Sequence, residues 1–237
     1  MQPHRAGLVA RSRSGLTAVA RLPRLALAGH AHAVLQCGQG ERPVFADDID
    51  RAAYLHALRE AMASEHTAVH AWALLPGEVR LVATPADAGG LARLVQSVGR
   101  RYVSTYNRRH ACKGALWAGR FRSAVLEPGP TVLDALLWAD GASALPGHSS
   151  AAHRSGGPAW PGLTNPAEFW ALGNTPFERE ALWRDRMQLG LPRQREQWLH
   201  TAVMGGWAAG DRAFSVDAAA AASRPSRPRP RGRPRAL

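Results

Sequence analysis

Glu78 and Arg80 stand two residues apart in LLPGEVRLVATP, residues 74–85. Side chains on a strand repeat every second residue, so the carboxylate and the guanidinium share one face. The carboxylate could ligate a hard divalent cation through oxygen. The guanidinium could not, because it stays protonated, offers no lone pair and repels cations. Two bland uses compete: an exposed same-face ion pair worth roughly 0–1 kcal/mol, or a phosphate contact through Arg80. The same spacing puts His30 and His32 of HAHAVLQC (30–37) on one face. With a third ligand they would hold a metal; otherwise they are ordinary strand histidines.

A second set of residues suits a polyanion. The net charge is +12, but the positive charge is segregated. Residues 1–24 hold five arginines, 88–126 hold seven arginines and Lys113, and 223–237 hold six arginines, all without one acid. The remainder of the chain carries a net charge of −7. A GC-rich coding bias accounts for 29 arginines against one lysine, but not for the missing acids. Acid-free blocks fit a phosphate-bearing partner, whose neutralised phosphates release counterions. The candidate contacts are Arg93, Gln96, Arg100, Arg101, Asn107, Arg108 and Arg109, then Trp117, Arg120 and Arg122. Trp117 or Phe121 could stack on unpaired bases. The competing reading is a solvated helix face over an aromatic core. In the tail, PRGRP (230–234) places Arg231 and Arg233 as in an AT-hook core, where arginines enter a narrow minor groove.

These groups need elements to position them. HAHAVLQC (30–37) alternates as a strand, and residues 47–64 open on acids and continue at helical spacing. TAVHAWALL (67–75) and EVRLVAT (78–84) form a hairpin across Pro76-Gly77. Residues 89–110 make a long helix with Leu91, Leu94, Val95, Val98, Tyr102 and Tyr106 on its apolar stripe. Residues 115–127 read as a strand and 131–140 as a short helix. The order predicts an α+β fold: a ferredoxin-like βαββαβ core, antiparallel sheet with helices on one face, plus an appended helix and a C-terminal helical region. The expected divisions are a disordered extension (1–19), the core domain (20–145), a linker (146–164), a helical region (165–215) and a basic disordered tail (216–237).

The chain is long enough to bury a core. It contains no apolar run of ~18 residues able to cross a bilayer. The first twenty residues lack a continuous apolar segment, so a signal peptide is not expected. Cys37 and Cys112 have no zinc spacing and suit a reducing compartment.

Three stretches resemble the REP-associated tyrosine transposases, relatives of the HUH single-strand transposases. They are ARLPRLALAGHAHAV (20–34), LARLVQSVGRRYVSTYNRRHACKGALWAGRFRSAVLE (91–127) and LGNTPFEREALWRDRMQLGL (172–191). The resemblance spans roughly 20–215, broken at 141–163, and implies the βαββαβ fold. It also implies a His-hydrophobic-His pair holding Mg²⁺ or Mn²⁺ at positions 78 and 80, and a nucleophilic tyrosine at position 138. Here Glu78, Arg80 and Trp138 occupy those positions. The resemblance therefore implies a transposase-like protein that binds hairpin or single-stranded DNA, carries no cofactor and has lost strand cleavage. Two other readings are an active nicking enzyme with a rearranged site, using Glu78 with His30 or His32, and a partly stable gene remnant damaged at 138–160.

Overall fold

The computed structural model describes residues 23–227. The predicted extension at 1–19 and the Arg231–Arg233 motif lie outside the described residues.

Four strands build one antiparallel sheet: β1 (His32–Cys37), β2 (Thr67–Leu75), β3 (Glu78–Pro85) and β4 (Arg122–Val125), in the order β2-β3-β1-β4. Helix α1 (Asp48–Ser64) links β1 to β2, and α2 (Gly90–Arg109) links β3 to β4. Each helix therefore crosses over the strand lying between its two ends, which is the ferredoxin-like α+β topology. Helix α1 starts where Asp47 accepts a hydrogen bond from the Asp50 backbone N–H at 3.1 Å. Arg108 and Arg109 sit in the last turn of α2, where cations offset the helix dipole.

Strand alternation divides the interior into two cores. Val79, Leu81 and Ala83 of β3 join the core under α1 and α2. Val82 faces the opposite side, together with Ala33, Leu35, Ala71 and Ala124. That second face is covered by α3 (Pro130–Asp140) and by later helices: α4 (Ala167–Trp170), α5 (Pro176–Leu189) and α6 (Arg193–Gly205). Helix α5 begins in a reciprocal cap, in which the Glu178 N–H donates to Thr175 Oγ1 and the Thr175 N–H donates to the Glu178 carboxylate. No helix among the described residues is long and apolar enough to cross a membrane.

Three segments differ from the sequence expectation. The strand expected over 115–127 is confined to Arg122–Val125. Gly119, at φ +81°, turns the chain just before it, leaving 117–121 as a loop.

The segment expected as a linker, 146–164, is packed into the fold. The Leu74 N–H donates to the His148 carbonyl at 2.8 Å, and the Ser150 N–H donates to the Trp72 carbonyl at 2.9 Å. These bonds cover the outer edge of β2, just as Ala209 bonds to Val125 and Glu127 on the outer edge of β4. Arg154, fully buried, pairs with the fully buried Asp140 at 2.8 Å. Its guanidinium also donates to the His70 carbonyl and to Asn165 Oδ1. A Gly- and Ser-rich composition hides this, because the segment is held by backbone bonds and one ion pair rather than by an apolar stripe.

The tail expected from residue 216 is helical over its first residues. Residues Arg212–Ala221 form helix α7, capped by Asp211, which accepts from the Phe214 N–H at 2.8 Å. An alanine run after a good cap is intrinsically helical, and α7 buries Ala218 against Leu25 and Val125.

Candidate functional site

Period-2 geometry puts Glu78 and Arg80 on the α3 side of the sheet. Arg80 Nε lies 2.7 Å from Glu78 Oε1. A second guanidinium nitrogen of Arg80 donates to the Trp138 carbonyl at 3.0 Å and lies 3.6 Å from Glu196 Oε1 of α6. The guanidinium carbon sits 4.8 Å from the centre of the Trp138 ring. Positions 78, 80 and 138 thus converge. The pair is not the exposed one considered from sequence, since the Arg80 side chain is only 16% exposed.

The Trp138 carbonyl belongs to the last turn of α3, where helical carbonyls lack intrahelical partners. Arg80 supplies both the donor and a cation for that helix end. The Trp138 indole is buried, and its N–H finds no partner. The cluster therefore offers two carboxylates, Glu78 and Glu196, both held by one guanidinium, and an aromatic ring without a hydroxyl.

The two early histidines do not form a paired site. His32 is fully buried, with Nδ1 against the His30 carbonyl at 2.8 Å and Nε2 accepting from the Leu27 N–H at 3.2 Å. His30 Nδ1 lies 3.1 Å from the Ala28 carbonyl. Among the described residues, no group of three or more His, Cys, Asp or Glu side chains is placed to hold a metal ion. Tyr102 and Tyr106 donate their hydroxyls to the Val44 and Pro43 carbonyls, and burial pushes both phenols upward.

The arginines of the acid-free block separate into two groups. Arg93 pairs with Asp87 at 2.6 Å and with Glu65 at 3.3 Å. Arg109 pairs with Asp47 at 2.6 Å and with Asp50 at 2.7 Å. Arg101 reaches Glu60 at 3.5 Å and Ser97 Oγ at 3.2 Å. Asn107 pins the following loop, donating to the Gly114 carbonyl and accepting from the Cys112 thiol. The block lacks acids in sequence, yet the fold brings acids to it from α1 and from the turn before α2.

Arg100, Arg108, Arg120 and Arg122 are exposed and have no carboxylate partner among the described residues. Arg100 and Arg120 flank a groove of about 770 Å³ between α2 and the 117–121 loop, with Gln96 and Gly99 on its helix side. Trp117 lines it only in part, because its ring packs toward Tyr54 and Tyr102. Phe121 is buried, with the Arg24 guanidinium 3.7 Å from its ring centre. The open aromatic faces expected for base stacking are thus largely covered.

The groove continues into a pocket of about 450 Å³ at the edge of β4, sharing Arg24, Gly119, Arg120 and Phe121. Arg122 and Arg224 complete that pocket, and no acid lines it. Arg24 and Arg224 were not singled out from sequence, although both lie in acid-free terminal blocks. Burial, and then the neighbouring Arg120, lower the Arg24 pKa to about 10.

No family model matches the chain, and no curated protein matches it. Among solved structures it is similar to a REP-associated tyrosine transposase bound to a REP hairpin. That match has 12% identity and a TM-score of 0.47, covering 62% of this chain and 92% of that one. It is also similar to a candidate transposase from Deinococcus radiodurans R1, at 16% identity and a TM-score of 0.36, covering 46% and 87% of the two chains.

Proposed function

We propose that the chain is a transposase-like DNA-binding protein that holds hairpin or single-stranded DNA and does not cut it. The observation that carries this reading is the acid-free groove flanked by Arg100 and Arg120 and continued by Arg122. Three neighbouring arginines are neutralised within the fold, whereas these remain unpaired among the described residues. Forked guanidinium donors suit phosphate oxygens. A groove with few open aromatic faces points to backbone contacts more than to base stacking.

The lack of cleavage rests on donor chemistry. A divalent ion needs oxygen or nitrogen lone pairs, and the cluster provides only the Glu78 and Glu196 carboxylates, both held by the Arg80 cation that would repel it. Residues 78, 80 and 138 therefore do not fit Mg²⁺ or Mn²⁺. Trp138 cannot form a phosphotyrosine. The alternative enzyme using a rearranged site lacks support, because β1 pairs His32 with Ala83 and Cys37 with Glu78, leaving His30 and His32 at the opposite end of the strands from Glu78. His32 also spends both ring nitrogens on the backbone. A cytoplasmic location belongs to the same reading.

The test is a mobility-shift titration of the full chain against a labelled DNA hairpin and a labelled single strand, with Mg²⁺ present. Retarded, uncleaved DNA is the expected result. A metal-dependent covalent adduct would overturn the inactive reading, and no shift at low salt would overturn the binding.

A further inference from the structure

The two ends of the described chain meet at the β4 edge. A guanidinium nitrogen of Arg224, just after α7, donates to the Pro23 carbonyl at 2.9 Å. Arg224 also lies 4.9 Å from the Trp207 ring centre, and its Nε–H is buried with no partner. Arg24 follows Pro23 directly and covers Phe121. Arg120 and Arg122 enter the same 450 Å³ pocket from the loop and from β4.

Four arginines line one pocket, Arg120 acts on the Arg24 charge, and no acid in the lining offsets them. Such an arrangement is stabilised by an anion with several oxygens, because each guanidinium can give two parallel donors. The orphaned Arg224 N–H is a buried donor that lacks its acceptor. We propose that this pocket is a phosphate-binding site, formed by bringing Arg24 and Arg224 from opposite ends of the chain onto Arg120 and Arg122. The ligand is a phosphate group, supplied either by a nucleic-acid strand or by free phosphate. Only the nucleic-acid source rests on the function proposed above.

The experiment titrates the full chain with inorganic phosphate, following thermal unfolding against sodium chloride at matched ionic strength. Phosphate is expected to raise the midpoint beyond chloride. Arg120→Ala and Arg224→Ala should each weaken phosphate binding by roughly tenfold, and Arg59→Ala on α1 should not. Arg224 also ties the chain ends together, so Arg120→Ala, whose side chain is exposed, guards against a folding defect. Equal effects of phosphate and chloride, or unchanged affinity in Arg120→Ala, would sink the proposal.

A second arm compares one oligonucleotide carrying a 5′-phosphate or a 5′-hydroxyl. Tighter binding of the phosphorylated strand, lost in Arg120→Ala, assigns the phosphate to nucleic acid. Phosphate binding without that preference supports the pocket with free phosphate as its source. Loss of all oligonucleotide binding beside intact phosphate binding would refute the DNA reading and keep the pocket.

Discussion

Arg80 and Trp138 are joined through a helix end: the guanidinium donates to the Trp138 carbonyl at 3.0 Å while lying 4.8 Å from its indole centre. Arg80 thereby links β3, α3 and, through Glu196, α6. Removing its charge leaves Glu78 without its partner and returns an orphan carbonyl to the end of α3. Arg80→Met keeps most of the packing and should destabilise the fold by about 2–4 kcal/mol. Urea unfolding measures this, and a change within error would mean that the network is ornamental.

The buried Asp140–Arg154 pair makes a sharper case. Both side chains are fully excluded from water, and Ser150 Oγ donates to Asp140 at 2.6 Å. Arg154→Met strands a carboxylate and should cost about 3–5 kcal/mol. Adding Asp140→Asn to that variant should recover part of the loss, because the stranded charge disappears. Additive losses in the double variant would contradict a charge-coupled pair.

How much of this was legible beforehand follows the range of the signal. Helix α1 and the β2–β3 hairpin were expected at 47–64, 67–75 and 78–84, and lie at Asp48–Ser64, Thr67–Leu75 and Glu78–Pro85. An acid cap, β-branched runs and a Pro-Gly break are local features, so local reading suffices. The 146–164 segment was opaque because its bonds reach back to Leu74 and Trp72. The site divides the same way. Period 2 puts Glu78 beside Arg80, but nothing local announces Glu196. Arg109 looked as free as Arg108, because its partner Asp47 lies 62 residues earlier. Arg24 and Arg224 share a pocket across 200 residues, a proximity that only the packing of α7 on Leu25 creates.

That division of the arginines predicts a salt dependence. If Arg120 and Arg122 each hold a phosphate, replacing either with Ala should flatten the plot of log affinity against log salt by roughly 0.7–1. Arg93→Ala and Arg109→Ala should leave the slope unchanged, since their charges are already balanced by Asp87, Glu65, Asp47 and Asp50. Fluorescence anisotropy of a labelled oligonucleotide over a salt series checks this. Equal slopes for all four variants would remove the distinction between free and paired arginines.

His32 sets a pH dependence on the fold itself. Burial holds its pKa down to about 4, against about 6.5 for a free imidazole. The neutral ring is fully used, and a proton on Nε2 would meet the Leu27 N–H that already points there. Between pH 6.5 and 4 the unfolded chain therefore binds a proton that the folded chain refuses, so stability falls as the pH falls through this window. The full effect is roughly 3 kcal/mol, and buried His70 and half-buried His153, also held low, act in the same direction. Urea unfolding at pH 7.5, 6.0 and 5.0 should show the decline. His32→Asn retains a donor for the His30 carbonyl but does not titrate, so its decline should be shallower. Parallel slopes for the variant and the natural chain would show that His32 is not the group responsible.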